Sequence, residues 1–169
     1  MTVESLNALG PDEAEAWFTQ LCTAQKWCGK MVESMPYTNK SSLVAQAKMH
    51  WNDMQEDDFL EAFQGHPMIG DINTLREKYA STKALASNEQ SGTAGADEGT
   101  LNALHKANHE YLDKNGFIFI ICASGLSAKT MLDALDKRLQ NSRPEEIEIA
   151  AQEQLKISLL RIDKAMADE

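Results

Sequence analysis

The sequence places one of its four histidines in a backbone setting that suits catalysis. His66 directly precedes Pro67, and Gly70 and Asp71 follow shortly after. Because proline biases the residue before it away from the helical region, His66 is expected at a break between helices. An imidazole held there can give and take a proton near neutral pH, as a general acid or base does. The alternative is a turn histidine with no chemical role.

A second polar cluster, Ser87-Asn88-Glu89-Gln90, stands where a helix is predicted to begin. Ser87 or Asn88 can cap that helix, and Glu89 suits its first turn. The same four residues can instead form an array of donors and acceptors for a polar ligand. A carboxylate accepts two N–H bonds from a urea or an amide, and the Gln90 amide can donate or accept. The residues alone leave both interpretations open.

Arg161 stands in an apolar part of the last predicted helix, among Leu159, Leu160 and Ile162. A guanidinium in such a setting needs a partner or a route to solvent. Glu89 or a substrate carboxylate can serve as that partner, and extension of the side chain to the helix edge is the alternative.

Two further groups of residues could bind metal or react. His105 and His109 are four apart on one predicted helix, a spacing that can place two imidazoles on one metal ion. The glutamate that zinc proteases carry directly after the first histidine is missing, so a solvated helix face is favoured. The three cysteines, Cys22, Cys28 and Cys122, cannot all pair within one chain and form no CxxC motif. They are predicted to be reduced, structural thiols of a cytoplasmic protein.

Length and charge limit the class of protein. A chain of 169 residues predicts one domain, here residues 1–169, with a hydrophobic core of its own. The net charge of −10 and the pI of about 4.8 disfavour nucleic acid and anionic membranes as partners. No apolar run reaches the length of a membrane helix. A small anionic ligand would need a local arginine or lysine.

The spacing of apolar residues predicts an all-α, single-domain bundle of about eight helices. Four helices are predicted before His66: residues 7–22, residues 23–35, a helix capped by Asn39 or Ser41 that runs past Trp51, and residues 57–63. Four more are predicted after it, at about residues 73–80, 85–115, 127–141 and 143–167.

One short apolar segment, residues 117–123, interrupts this helical pattern. Its composition is typical of a buried strand, yet no second strand is available to pair with it. Unpaired backbone N–H and C=O groups are costly when buried. The segment is therefore expected to be irregular and extended, or to offer its backbone groups to another partner such as a ligand.

Four blocks of residues stand in the order and spacing of one enzyme family. The blocks are His66-Pro67-x-Ile69-Gly70-Asp71, Asn88-Glu89-Gln90, Asn108-x-x-Tyr111-x-x-x-x-Gly116 continued by Phe117-Ile118-Phe119-Ile120-Ile121-Cys122-Ala123-Ser124-Gly125, and Glu153-x-x-Lys156-Ile157-x-x-x-Arg161. With these blocks the chain resembles the 2-oxo-4-hydroxy-4-carboxy-5-ureidoimidazoline (OHCU) decarboxylases, and the resemblance covers nearly the whole chain.

The resemblance implies an all-helical, cofactor-independent enzyme of urate degradation that contains no metal and is usually a homodimer. Such an enzyme decarboxylates the ureidoimidazoline to (S)-allantoin. His66 is then the catalytic acid/base, and Glu89 acts beside it and binds substrate. The substrate-binding residues implied by the resemblance are Pro67, Ala86, Ser87, Asn88, Glu89, Gln90, Phe119, Ile120, Ile121, Cys122, Ala123 and Arg161. Many family members have serine where this chain has Ala86, so a hydroxyl contact at that position is not expected.

Two other functions compete with this one. A non-enzymatic helical module could bind a partner helix through Met31, Met35, Met49 and Met54, because methionine suits an adaptable surface. A metalloenzyme built on His105 and His109 would lose its activity to a chelator. Only the decarboxylase hypothesis predicts faster formation of one allantoin enantiomer.

Overall fold

The computed structural model of the protein describes residues 1–67 and 98–166. Within these ranges the chain forms eight α-helices and no β-strand, which confirms the all-α prediction. The predicted helix at 73–80 and the first part of the one at 85–115 lie outside the described residues. The helices are α1 (Val3–Asn7), α2 (Pro11–Leu21), α3 (Gln25–Glu33), α4 (Lys40–Asn52), α5 (Glu56–Gln64), α6 (Glu98–Asn115), α7 (Ala128–Arg138) and α8 (Arg143–Ala165).

The helix boundaries follow from capping chemistry. The side chains of Asn39 and Ser127 accept hydrogen bonds from backbone N–H groups in the first turns of α4 and α7, as predicted. The start of the first predicted helix was wrong, because Asn7 ends α1 and does not begin α2. Gly10 is extended, with φ −68° and ψ 163°, and Pro11 occupies the first turn, where a missing N–H has no consequence.

The chain divides into two compact units. The first unit comprises Met1–His66, Ile120–Cys122 and Ile147–Glu169, and the second comprises Pro67–Phe119 and Ala123–Glu146.

Two buried tryptophans connect the helices of the first unit through both packing and hydrogen bonds. The indole N–H of Trp27 donates to the carbonyl of Ala47 at 3.1 Å, joining α3 to α4. The indole N–H of Trp51 donates to the carbonyl of Ala151 at 2.9 Å, joining α4 to α8. A buried tryptophan thus contributes a large apolar surface while its one polar atom stays bonded. These two hydrogen bonds hold helix α4 against α3 and the long helix α8 against α4.

The second unit is built around a buried carboxylate. Glu146 has no exposed surface, and its Oε1 accepts hydrogen bonds from the Tyr111 hydroxyl at 2.6 Å and from Nε of Arg138 at 2.8 Å. Its Oε2 accepts from Nδ2 of Asn141 at 2.8 Å. The Arg138 guanidinium also lies 4.6 Å from the centre of the Phe119 ring. Both carboxylate oxygens are therefore satisfied, as a buried charge requires.

Residues 118–123 have no regular secondary structure, which confirms an irregular segment in place of a paired strand. Phe117 and Ile120 are buried, and the Phe117 and Phe119 rings contact Tyr111 edge to face. Side-chain packing therefore holds the start of this segment, where a sheet would have held it by backbone pairing.

The Glu146 cluster yields a stability prediction. Glu146→Gln removes the negative charge that faces Arg138 and turns an amide N–H₂ toward Asn141, another donor. We expect the free energy of unfolding to fall by about 3 kcal/mol, the usual cost of breaking a buried ion pair from one side. Urea denaturation measures this loss. The matched control is Glu148→Gln, at an exposed position of the same helix, which should change stability by less than about 0.5 kcal/mol. Equal stability of the two variants would refute the assigned role of Glu146.

Candidate active site

His66 lies at a helix break, as the sequence predicts. Helix α5 ends at Gln64, and the backbone N–H of His66 donates to the carbonyl of Phe63 at 3.2 Å. Gly65 precedes it in a right-handed conformation, with φ −72°. A Cβ atom at Gly65 would stand 2.2 Å from Oγ1 of Thr23, so this position needs glycine for close approach. The chain thereby turns His66 out of the helix.

A hydrogen-bonded chain leads from His66 into helix α8. Nε2 of His66 lies 2.6 Å from Oε1 of Gln154, a residue with no exposed surface. Nε2 of Gln154 donates to Oγ of Ser158 at 3.2 Å, one turn further along the helix. The Ser158 hydroxyl faces two backbone carbonyl oxygens, that of Gln154 at 3.0 Å and that of Leu21 at 3.3 Å. An imidazole at the end of α5 is thus fixed by a buried amide of α8.

Arg161 reaches the same group of residues. Its Nη1 donates to the Leu21 carbonyl at 3.2 Å, the carbonyl that also faces Ser158. The partner that a half-buried arginine needs is therefore, in part, a backbone oxygen at the end of α2. The alternative partner, Glu89, lies outside the described residues. His66, Gln154, Ser158 and Arg161, all in the first unit, are called the His66 cluster.

The surroundings of His66 favour its neutral form. Burial lowers its pKa below the ordinary 6.5, and the positive charge of Arg161 lowers it further. The hydrogen bond to Gln154 acts in the opposite direction and raises the pKa, but burial is the largest cause. At pH 7 the imidazole is therefore uncharged, so it has one nitrogen that donates and one that accepts a proton.

The irregular segment contributes Ile120–Cys122 to the first unit. The backbone N–H of Cys122 donates to Oε1 of Glu153 at 3.3 Å, and Oε2 of Glu153 lies 2.6 Å from Nζ of Lys156. The backbone N–H of Cys122 thus has an acceptor within the protein. Ile120, two residues earlier, is buried. The carboxylate of Glu153 therefore positions part of the segment for which the sequence suggested a ligand.

The other predicted site residues lie elsewhere. Pro67 follows His66 and is exposed, and it belongs to the second unit together with Phe119 and Ala123. Ile121 lies in the first unit and is half-buried. The predicted binding residues Ala86, Ser87, Asn88, Glu89 and Gln90 lie outside the described part of the chain.

Sequence reasoning assigned no function to Gln154, Ser158 or Glu153. A signal for the first two was present, because Gln154 and Ser158 fall on the apolar stripe of the last helix with Ile147 and Ile162. Two polar residues four positions apart on a buried stripe need a shared hydrogen-bond network. The signal for Glu153 was of another kind, since this residue begins the fourth block of the family resemblance, the block that also contains Lys156 and Arg161.

Two of the three cysteines, Cys22 and Cys28, are buried, as their predicted structural role requires. All three are free thiols, and burial raises the pKa of Cys28 to about 11 and that of Cys22 to about 12. Since the thiolate is the nucleophile, thiols held in the protonated form are inert. Cys22 and Cys28 therefore act through packing.

The two competing functions find little support in the described ranges. His105 and His109 stack edge to face with ring centres 4.7 Å apart, and no cluster of three potential metal ligands occurs in residues 1–67 and 98–166. Met31 and Met54 are buried core residues, whereas Met49 is exposed. The predicted methionine surface is thus divided between core and exterior. None of the described helices is long and apolar enough to span a membrane.

Comparison with known proteins points to one family. The model of the OHCU decarboxylase family matches residues 7–163. The chain is 34% identical over 148 residues to "Uric acid degradation bifunctional protein TTL" of Arabidopsis thaliana, covering 88% of this chain but only 46% of that protein. It thus spans less than half of this longer relative. It is 24% identical to the 2-oxo-4-hydroxy-4-carboxy-5-ureidoimidazoline decarboxylase of Halalkalicoccus jeotgali, of which it covers 91%.

Solved structures agree with this result. A crystal structure of OHCU decarboxylase in the presence of (S)-allantoin matches with a TM-score of 0.73 and 34% identity, over 91% of this chain and 99% of that one. A crystal structure of (S)-allantoin synthase shares the fold, with a TM-score of 0.71 and 20% identity. It is matched over 98% of this chain and 54% of its own.

The lowered pKa of His66 makes stability depend on pH. In the unfolded chain the imidazole takes up a proton near pH 6.5, whereas in the folded protein protonation requires a lower pH. As pH falls below 6.5 the unfolded state therefore binds more protons, and the free energy of unfolding decreases. We expect wild type to lose more stability than His66→Gln between pH 7 and pH 5 in urea denaturation. Parallel curves for the two proteins would show that the pKa of His66 is not lowered.

Proposed function

Because the chain belongs to the OHCU decarboxylase family, we propose that it converts 2-oxo-4-hydroxy-4-carboxy-5-ureidoimidazoline to (S)-allantoin in urate degradation. The observation that carries the proposal is the His66 cluster, in which a neutral imidazole and an arginine are held by one hydrogen-bonded network. An imidazole that exchanges protons near neutral pH and a cation for an anionic substrate are the two groups that this reaction needs.

The reaction balances without a redox step. The bond between ring carbon C4 and its carboxylate breaks, CO₂ leaves, and the electron pair is delocalised into the adjacent C5 imine, which gives an enol. A proton then adds to C5, the carbon that carries the ureido group, and the C4 hydroxyl proton moves to the imine nitrogen as C4 becomes the carbonyl of allantoin. The face from which the proton reaches C5 decides the enantiomer. The substrate ring is the electron sink, so we propose that the enzyme works without a cofactor.

Binding an anion to a protein of net charge −10 requires local positive charge. Arg161 supplies it in this proposal, since the Leu21 carbonyl occupies one of the five N–H donors of the guanidinium. The remaining donors can form the planar fork that matches a carboxylate. An electrostatic hold of this kind also fixes the scissile bond in a productive orientation, which is a positioning effect.

His66 acts in this proposal as the acid/base that assists loss of the carboxylate and delivers the proton. Its burial and its neutral form suit this role, because a base must be unprotonated before it can act. Glu89 acts beside it and binds substrate, and Ala86 through Gln90 bind the ureido and ring polar groups. Pro67 and the backbone of Phe119 to Ala123 complete the proposed binding residues.

Four further properties belong to the proposal and follow from the family alone. The chain forms a single catalytic domain over residues 1–169, it assembles as a homodimer, it acts in the cytoplasm, and it binds no metal.

The test is a coupled assay of the protein with uric acid, uricase and a 5-hydroxyisourate hydrolase, followed by circular dichroism. Wild type should accelerate formation of the (S) enantiomer, and His66→Ala should fold normally yet lose about 10²–10⁴-fold in rate, the usual contribution of general acid–base catalysis. His109→Ala is the matched control, a histidine on the exposed side of α6.

The outcomes separate the candidate functions. No acceleration by wild type would favour the helical module. Activity that a chelator abolishes, or that His109→Ala reduces as much as His66→Ala does, would favour the metalloenzyme. A wild-type rate in His66→Ala would refute the acid/base role.

A further inference from the structure

We propose that Gln154 is a positioning residue that holds neutral His66 with its proton on Nε2, so that Nδ1 is the nitrogen that exchanges a proton with the substrate. The inference rests on the proposed acid/base role of His66 and assigns that role to one atom. It follows from the direction of the hydrogen bonds in the His66 cluster.

The direction is set at Ser158. Its hydroxyl has a single hydrogen, and two backbone carbonyl oxygens lie within reach. The main-chain oxygen of Gln154 is at 3.0 Å and that of Leu21 is at 3.3 Å. A carbonyl can only accept, so the hydroxyl hydrogen points toward one of these two atoms. The hydroxyl oxygen therefore has to accept at its third contact, with Nε2 of Gln154 at 3.2 Å.

This fixes the orientation of the Gln154 amide. Its N–H₂ group faces Ser158, so its oxygen faces Nε2 of His66 at 2.6 Å. The amide oxygen only accepts, and Nε2 must then carry a hydrogen. In a neutral imidazole the second nitrogen, Nδ1, is consequently the unprotonated one. In the opposite amide orientation the Ser158 hydroxyl would face three acceptor oxygens with a single hydrogen, so two of these contacts would bring lone pairs together, against one in the orientation observed.

Burial makes this arrangement rigid. Gln154 has no exposed surface, Ser158 is 2% exposed, and the carbonyl of Ala151, one turn earlier on α8, accepts the indole N–H of Trp51. A side chain packed in this way cannot rotate without breaking several contacts. Gln154 therefore acts as a fixed acceptor for a histidine that lies beyond the end of its own helix.

An amide at position 154 favours the charged imidazole less than a carboxylate would. A carboxylate at position 154 would stabilise the imidazolium, as acids beside histidine do. Glutamine supplies the same acceptor oxygen without the charge. The charged group that acts on His66 in the described part of the chain is Arg161, whose sign opposes protonation. Gln154 thus positions the ring, and Arg161 helps to keep it unprotonated.

The experiment reads the tautomer directly. In protein labelled with ¹⁵N-histidine, long-range ¹H–¹⁵N correlation spectra at pH 8 distinguish a protonated from an unprotonated ring nitrogen. We expect wild-type His66 to show only the Nε2–H form, with a slowly exchanging proton. Gln154→Met keeps the length of the side chain but removes the acceptor, so both tautomers and fast exchange should appear. The matched control is Gln152→Met, at an exposed position of the same helix.

Two further variants protect the test against a folding defect. Gln154→Glu retains the acceptor and adds a charge, so it should preserve the Nε2–H form and move the acidic limb of the kcat/KM profile to higher pH. Ser158→Ala removes the group that orients the amide, so it should release a mixture of tautomers. Gln154→Met should lower kcat by about 10-fold to 100-fold with little change in KM, by analogy with the loss when the hydrogen-bond partner of a metal-binding histidine is removed.

The spectra and the kinetics test two separate claims, the role of Gln154 and the proton exchange through Nδ1. A wild-type Nδ1–H tautomer, or an unaltered tautomer in both Gln154→Met and Ser158→Ala, would overturn the role of Gln154. The expected tautomers together with a fully active His66→Ala would leave the hydrogen-bond direction intact and overturn the proton exchange through Nδ1, along with the acid/base role in the proposed function.

Discussion

The hydrogen bond between Nε2 of His66 and Oε1 of Gln154 is the interaction on which the candidate site depends. It joins two parts of the chain that are 88 residues apart, and it is made by a histidine that a glycine and a proline hold outside any helix. Trp51 anchors the preceding turn of helix α8 through its hydrogen bond to the Ala151 carbonyl. The core therefore determines where the acceptor stands, and the acceptor determines which ring nitrogen of His66 is protonated.

Electrostatics then give the cluster its chemical character. The protein is strongly acidic, yet the imidazole remains neutral because burial and Arg161 both oppose its protonation. Two neutral groups, the Gln154 amide and the Ser158 hydroxyl, orient the imidazole without adding charge. The ion pair of Glu146 and Arg138 in the second unit shows the contrasting arrangement, in which each buried charge is compensated by the other. The polar cluster of the first unit thus positions a neutral imidazole, whereas that of the second unit pairs two opposite charges.

Local signals in the sequence predicted much of this structure. Pro67 and Gly65 identified the break at His66, Asn39 and Ser127 identified helix starts, and the absence of a second strand predicted an irregular segment near Ile120. Partners distant in the chain could not be predicted. The Leu21 carbonyl lies 140 residues from Arg161, and no residue pattern indicates which backbone oxygen a guanidinium will reach. Gln154 was missed because a single amide on an apolar helix stripe is often tolerated without a function. Its side-chain oxygen is seen to contact His66 only in the structure.

The most direct test of the central claim is the ¹⁵N spectrum of His66 during titration with (S)-allantoin, the proposed product. If Nδ1 faces the ligand and Nε2 is held by Gln154, the Nδ1 resonance shifts as the ligand saturates while Nε2 retains its proton, and the nitrogens of exposed His109 do not respond. Saturable binding reported by other residues, with both ring nitrogens of His66 unchanged, would contradict the claim that this imidazole lies at the reaction site.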